Sequence, residues 1–269
     1  MIRLEADKVV AAREGDRAAL DSIVRTVERP IFNVAMRMLA NRADAEDATQ
    51  EILVKIVTHL ATLRDVDAAG AWAFRIACRH LVHERKRGAI EAMQLDFARF
   101  ASDLDMGLSA DEAHGLSAAE SILAVEEVKV GCTLAMLVCL SRESRIAYIL
   151  GEIFEVPATE AAAVLDIGSA AFRQRLRRAR AAISAFMITS CGLISDTAAC
   201  HCHLRVSRAL ETGRIRKGKA LLSGSPPDTA TIQARVKALE QGRAAAAVMR
   251  SNPDFKSNIS QLIMRLGAS

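Results

Sequence analysis

Residues 157–183, PATEAAAVLDIGSAAFRQRLRRARAAI, carry the pattern that decides the fold. A short Ala-rich segment, for which Thr159 is the predicted N-cap, leads into the tripeptide Asp166-Ile167-Gly168 and then into a longer helical pattern. Aspartate tolerates the left-handed conformation of a tight turn, and Gly168 or Ser169 can cap the helix that follows. The stretch therefore predicts a helix-turn-helix.

The second helix of this motif is strongly basic, with five arginines within residues 173–180. Guanidinium groups bind phosphates, and a helix that carries them fits the major groove of DNA. A solvated basic face would have a similar composition, but the small-residue helix, the tight turn and the arginines together favour DNA binding. The predicted contacts are Ser169, Arg173, Gln174, Arg175, Arg177 and Arg178.

Another basic helix is predicted upstream, at residues 71–88 (AWAFRIACRHLVHERKRG), with Gly88 as its end. Basic side chains recur on one of its faces at helical spacing. The only tryptophan, Trp72, stands at its start. An aromatic ring beside a basic face suits unstacked bases as well as backbone phosphates, although a tryptophan in the core is the simpler alternative. The candidate nucleic-acid contacts are Trp72, Arg75, Arg79, His83, Lys86 and Arg87.

Residues 44–56, DAEDATQEILVKI, place acids at the head of a further predicted helix. Asp44 is the predicted N-cap, Asp47 lies in a capping-box-like position, and acids in the first turn suit the helix dipole. An apolar face packs inward. Capping and dipole effects explain the acids of the first turn, but they give no structural role to Gln50 and Glu51, which face outward.

The composition favours an all-α protein, and no segment of the sequence is apolar enough to span a membrane. Half of the 269 residues are apolar, only 4% are aromatic, and five prolines interrupt the sequence. No run of 18 apolar residues exists, and the charged N-terminus MIRLEADKVV lacks a signal-peptide core. We therefore expect a cytoplasmic protein with reduced cysteines. P-loop, HExxH, nucleophile-elbow and dinucleotide-loop motifs are missing, so no enzyme is expected.

The order of these parts resembles bacterial sigma-70-type RNA polymerase sigma factors, and among them the small extracytoplasmic-function (ECF) group. The resemblance covers residues 16–88 and 117–187, about half of the chain. It implies two helical domains on a tether that recruit core RNA polymerase to promoter DNA and open the −10 duplex, with no catalytic residue. Residues 71–88 resemble the −10 melting helix and 157–183 the −35 motif. DAEDATQEILVKI resembles the core-polymerase-binding helix, with contacts at Asp47, Gln50, Glu51 and Val54.

Four segments follow from this organisation. Residues 1–88 are predicted to bind polymerase and the −10 element, and residues 117–187 to bind the −35 element. Residues 89–116 between them hold six acids and one arginine and are predicted to be an acidic linker with at most one helical turn. Residues 188–269 form a C-terminal extension, with helices predicted at 229–250 and 257–266 after the linker SGSPPD.

The extension is basic, with twelve Lys or Arg against four Asp or Glu over residues 204–269. Three roles are open for it besides a solvated surface: an autoregulatory domain, added DNA affinity through counterion release, or a site for an anti-sigma or other regulator. A second function is also open for the whole chain, a helix-turn-helix regulator that binds DNA without polymerase.

The extension begins with a cysteine- and histidine-rich stretch, CGLISDTAACHCH (191–203). Thiolates and imidazoles suit a tetrahedral Zn²⁺ ion, although the spacing is not a paired C-x2-C. A redox pair of Cys191 with Cys200 or Cys202, and a plain loop of reduced thiols, are the alternatives. The candidate zinc ligands are Cys191, Cys200, Cys202 and His203.

Overall fold

The computed structural model describes residues 2–83, 88–109, 115–222, 241–257 and 259–260. These residues confirm the all-α prediction, since they contain no β-strand and only an isolated bridge between Arg216 and Lys219. No helix among them is long and apolar enough to cross a membrane. The α-helices are α1 Ala6–Arg13, α2 Arg17–Leu39, α3 Arg42–His59, α4 Ala69–His83, α5 Phe97–Met106, α6 Ala118–Val138, α7 Arg142–Tyr148, α8 Ala158–Leu165, α9 Ser169–Ser190, α10 Val206–Glu211 and α11 Gln241–Arg250.

The chain divides into two compact units. Unit 1 comprises Met1–Ala92, Val156–Arg173 and Phe255–Ser269, and unit 2 comprises Met93–Glu155 and Gln174–Asp254. Unit 1 thus takes its residues from three separate stretches of the sequence.

Helix α2 is the centre of unit 1. Asp16 caps it by accepting the N–H groups of Ala18 and Ala19. Every residue from 31 to 39 is buried, so the second half of α2 is covered on all sides. Pro30 lies inside one continuous helix and does not divide it into two. Helices α1, α3 and α4 pack against α2 and supply the rest of the apolar core.

Helix α3 begins earlier than predicted. Its N-cap is Asn41, whose side chain accepts the N–H of Asp44 at 3.0 Å, so the prediction of Asp44 as the cap is wrong. Asparagine is as good an N-cap as aspartate, and Asn41 precedes Asp44 in the sequence, so the helix begins at the earlier cap. The carboxylate of Asp44 instead accepts the N–H of Ala89 at 2.6 Å and fastens the chain after Gly88.

The start of α8 also differs from the prediction. Pro157 occupies the N-cap position and the helix begins at Ala158, so Thr159 lies inside the first turn and does not cap it. Proline has its φ fixed near helical values and no N–H to satisfy, which suits it to the start of a helix.

Unit 2 is built around α6, which opens with a capping box between Ser117 and Glu120. Helix α5 lies in the stretch predicted to be an acidic linker and is longer than the single turn expected there. Asp96 caps it, and Phe97 and Phe100 contact the ring of Phe186. The apolar side chains of α5 recur at helical spacing, but acidic residues lie between them, so the sequence did not show a clear stripe.

The first part of the extension packs on the other elements of unit 2. Arg205 is buried and donates to the carbonyl oxygens of Asp103 and Leu104 and to the carboxylate of Asp103. Glu127 accepts the N–H groups of Leu221 and Leu222. Two helices were predicted further on. The second part of the first, Gln241–Arg250, is helical. The linker SGSPPD, residues 229–240 and most of 257–266 lie outside the described residues.

Candidate protein and nucleic-acid interfaces

Helix α3 presents the predicted protein-binding face at the surface of unit 1. Asp47 and Glu51 are exposed, Gln50 is half-buried, and the apolar side chain of Val54 is 45% exposed. The opposite face of α3 is buried through Ile52, Leu53 and Ile56 among others. The four residues therefore form one accessible stripe with an apolar member, as a protein-binding surface requires.

A polar link between α3 and α4 lies beside this stripe. His80 of α4 is buried, and its Nδ1 lies 2.7 Å from Nζ of Lys55 while its Nε2 lies 3.6 Å from the Glu51 carboxylate. Sequence reasoning assigned Glu51 to polymerase and gave His80 no role. The i, i+4 spacing of Glu51 and Lys55 could have indicated a shared polar partner, since it puts both side chains on the same side of α3.

The basic row on α4 is exposed where the structure describes it. Arg75, Arg79 and His83 are exposed, and Lys86 and Arg87 lie outside the described residues. Trp72 is partly buried and packs against a cluster that contains Val9, Ile23 and Leu60. The ring contributes to the core, as the simpler alternative expected, and its contact with bases stays a prediction.

The helix-turn-helix has the predicted turn. Asp166 adopts the left-handed conformation (φ 57°, ψ 45°), which confirms that aspartate occupies such a position here. The N–H of Ile167 bonds to the carbonyl oxygen of Ala162 at 3.0 Å and closes the end of α8. Phe172, in the first turn of α9, is fully buried.

The turn of this motif lies next to α4 in unit 1. Helices α4 and α8 pack together, and Nη1 of Arg79 lies 3.8 Å from the carboxylate of Asp166. Both side chains are more than half exposed, so this ion pair contributes little to stability. Its effect is to place Arg79, a predicted nucleic-acid contact, beside the turn.

The polar side of α9 is the predicted DNA-reading surface. Arg173, Gln174, Arg177 and Arg178 are exposed, whereas Ser169 and Arg175 are half-buried. Arg180, the last of the five arginines, pairs with Glu152. Of this arginine row, Arg173, Arg177 and Arg178 therefore offer the most accessible charge for phosphates.

Three of the four predicted zinc ligands lie around one cavity in unit 2. Cys191, Cys200 and Cys202 line it, together with Cys132 of α6 and the buried Lys129 and Arg205. His203 is exposed and stacks on His201 instead. Within the described part of the chain, no three or more Cys, His, Asp or Glu residues are grouped so that they could hold a metal ion. Zinc binding stays a prediction.

Burial decides the chemistry of these thiols. It raises the pKa of Cys200 to about 11 and that of Cys132 to about 12, and it raises the pKa of Cys191 as well. Thiols with such pKa values remain protonated near neutral pH and are poor nucleophiles.

The segment that carries most of α2 and all the described residues of α3 and α4 is similar to a known family. Residues 23–89 match the family model "Sigma-70 region 2". The matched residues contain the exposed stripe of α3 and the described basic row of α4, so both candidate interfaces lie in the segment that is similar to region 2.

Two curated relatives extend the similarity beyond region 2. The ECF RNA polymerase sigma factor SigE of Mycolicibacterium smegmatis is 28% identical over 173 residues, which cover 62% of this chain and 62% of that protein. The RNA polymerase sigma-H factor of Pseudomonas aeruginosa is 26% identical over 192 residues, which cover 68% of this chain and 94% of that protein. The similarity thus spans less than two thirds of the SigE relative, and it supports the predicted sigma-70-type family.

Proposed function

We propose that the protein is a sigma factor of the ECF type that directs core RNA polymerase to promoters and opens the −10 element. The observation that carries this proposal is the coincidence of the region 2 match with α2, α3 and α4, which bear two different exposed surfaces. The acidic and apolar stripe on α3 suits a protein partner, and the basic row on α4 suits DNA. A plain DNA-binding regulator has no use for the α3 stripe.

The helix-turn-helix supplies the second half of the proposed mechanism. Exposed arginines on α9 bind the −35 duplex through phosphates and base edges, while Arg75, Arg79 and Trp72 on α4 engage the −10 strands. Catalysis belongs to the polymerase, and the factor contributes recognition and strand capture. Such a factor acts in the cytoplasm, where its template lies.

Run-off transcription with core polymerase tests the proposal. The wild-type protein is expected to support initiation on a promoter from its host genome, and Gln50→Ala/Glu51→Ala is expected to reduce core binding and transcript together. Glu143→Ala, which removes an exposed acid from α7 in unit 2, is the matched control and should retain full activity. Binding to DNA without core, with no initiation on any host promoter, would support the regulator instead.

Two further expectations accompany this role. A protein regulator of the anti-sigma kind would compete with core polymerase if it covered the α3 stripe, and a competition assay with purified core tests this. Zinc at Cys191, Cys200, Cys202 and His203 would need the three thiols to move together and the exposed His203 to turn towards them. Metal analysis of protein purified under reducing conditions, beside Cys200→Ser/Cys202→Ser, tests the zinc site.

A further inference from the structure

Helix α2 carries a row of buried polar side chains that no predicted interface uses. Glu28 is 5% exposed, and Asn33 and Arg37 are each 2% exposed. Burial of such groups is costly unless each finds a hydrogen-bond partner. Their partners therefore identify what this face of α2 is built to hold.

Some of these partners lie within α2: Nδ2 of Asn33 donates to the carbonyl oxygen of Arg29, and Nη1 of Arg37 donates to the carbonyl oxygen and Oδ1 of Asn33. The others come from the C-terminal extension. Nδ2 of Asn33 donates to the carbonyl oxygen of Phe255 at 3.0 Å, and the N–H of Phe255 donates to Oδ1 of Asn33 at 2.9 Å. One side-chain amide thus pairs with both backbone groups of one residue, as a neighbouring strand would. The guanidinium of Arg37 lies 5.0 Å from the centre of the Phe255 ring, which is only 3% exposed.

Two more backbone groups of the same segment are bound. The N–H of Ile259 donates to Oε1 of Glu28 at 2.6 Å, and Nη2 of Arg42 donates to the carbonyl oxygen of Lys256 at 2.9 Å. Four side-chain-to-backbone hydrogen bonds and one buried aromatic ring fix the segment. Most of this recognition is directed at the peptide backbone, while Phe255 supplies the one large apolar anchor.

We propose that Glu28, Asn33, Arg37 and Arg42 form a peptide-docking groove in the segment similar to region 2. Its occupant is the chain's own residues 255–257 and 259–260, here called the strap. The proposal deepens the proposed function and rests on it: the strap supports the polymerase-binding helix. Arg42 is the first residue of α3, pairs with Glu46 at 2.9 Å, and begins the row that continues at Gln50 one further turn along.

The strap supports the α3 stripe and does not cover it. Asp47, Glu51 and Val54 are exposed while the strap is docked. Release of the strap would remove the backbone partners that Asn33 and Glu28 have in it, and it would break the bond from Arg42 to the carbonyl oxygen of Lys256, so the start of α3 would lose a restraint. Docking is therefore expected to raise the affinity for core polymerase.

Limited proteolysis of the full chain tests docking. Trypsin cleaves after Lys256, whose side chain is exposed but whose carbonyl group is bound by Arg42. Asn33→Ala removes two hydrogen bonds to Phe255 and is expected to accelerate this cleavage by about tenfold, with faster amide exchange at Phe255. Cleavage after Lys217, an exposed residue of unit 2, should not change.

Two further variants separate release of the strap from damage to α2. Phe255→Ala removes the ring without touching α2 and should give the same accelerated cleavage with an unchanged helical circular dichroism spectrum. Arg25→Ala removes an exposed residue of α2 that pairs with Asp21, and it should behave as wild type. Unchanged cleavage and exchange in both Asn33→Ala and Phe255→Ala would overturn the docking groove.

Core affinity tests the supporting role. A several-fold rise in the Kd of Phe255→Ala for core polymerase, with Arg25→Ala unchanged, is the expected result. Equal affinity of Phe255→Ala and wild type would refute the supporting role while the proteolysis data still report on docking. Failure of the wild-type protein to bind core would refute the proposed function and the supporting role together, and the protease pattern would remain as the separate readout.

Discussion

Nζ of Lys55 lies 2.7 Å from Nδ1 of the buried His80. A lysine ammonium only donates hydrogen bonds, so Nδ1 accepts, and the proton of a neutral imidazole then sits on Nε2. That Nε2 lies 3.6 Å from the Glu51 carboxylate. The pair orients one histidine tautomer between a cation and an anion of α3, and it connects the proposed polymerase-binding helix to the proposed melting helix.

Replacement of this histidine should loosen that connection. His80→Ala is expected to lower the free energy of unfolding by about 1–2 kcal/mol, because it removes a buried, hydrogen-bonded side chain. Thermal denaturation followed by circular dichroism measures the change. His83→Ala, three residues later and exposed, is the control and should stay within about 0.5 kcal/mol of wild type. Equal stability of the two variants would contradict the structural role of His80.

The exposed arginines of α9 should control the salt dependence of DNA binding. Arg177→Ala/Arg178→Ala is expected to weaken binding to promoter DNA and to reduce the slope of log K against log salt by about 2, since each phosphate contact contributes roughly 0.9. Filter binding or fluorescence anisotropy at several salt concentrations measures the slope. Arg13→Ala/Arg17→Ala, which removes two exposed arginines from the N-terminal helices, should leave the slope unchanged.

The end of α2 offers a stabilising substitution. Ala40 follows the helix in the left-handed conformation, with φ at 53°, where glycine has no steric penalty. Ala40→Gly is expected to raise the free energy of unfolding by about 0.5–1 kcal/mol. The matched change Ala43→Gly, in the first turn of α3, should destabilise by a similar amount. If both changes destabilise the protein, the left-handed conformation described for Ala40 is wrong.

The buried thiols should react slowly at neutral pH. Burial raises the pKa of Cys200 to about 11, so the rate of its alkylation by iodoacetamide should rise about tenfold per pH unit up to that value. The same shift links folding to pH: the folded state holds the proton more tightly than the unfolded state, so stability is lost as pH rises from about 9 towards 11. Mass spectrometry of alkylated peptides follows the rate. Rapid modification at pH 7, unaffected by added chelator, would contradict this.

The sequence predicted those elements in which local signals agree. The Ala-rich helix, the Asp166 turn and the arginine-rich helix that follows all indicated a helix-turn-helix, and local interactions suffice to specify it. The outward position of Gln50 and Glu51 on α3 followed from periodicity, whereas the full stripe with Asp47 and Val54 followed from the resemblance to sigma factors. Helix ends were less exact, because Asn41 and Pro157 compete with equally suitable caps nearby.

Other features depended on contacts between residues that are distant in the chain. Helix α5 was missed because its stripe of Phe97, Phe100 and Leu104 is short and lies among acids, so that its partner Phe186 becomes apparent only in the fold. The strap could not be predicted, since Asn33 and Phe255 are separated by 222 positions. No local pattern in α2 distinguishes a buried asparagine with a backbone partner from an exposed one.

The distance between Asn33 and Phe255 has a consequence for the order of events during protein synthesis. The ribosome makes the chain from its N-terminus, so α2, α3 and α4 emerge long before the residues that fill the groove. Until Phe255 has been synthesised, the amide of Asn33 lacks the two backbone groups of that residue, and this face of the domain is incomplete. Unit 1 would therefore be completed only after Phe255 has been synthesised, and a chain that terminates before this residue would present the unit in an incomplete form.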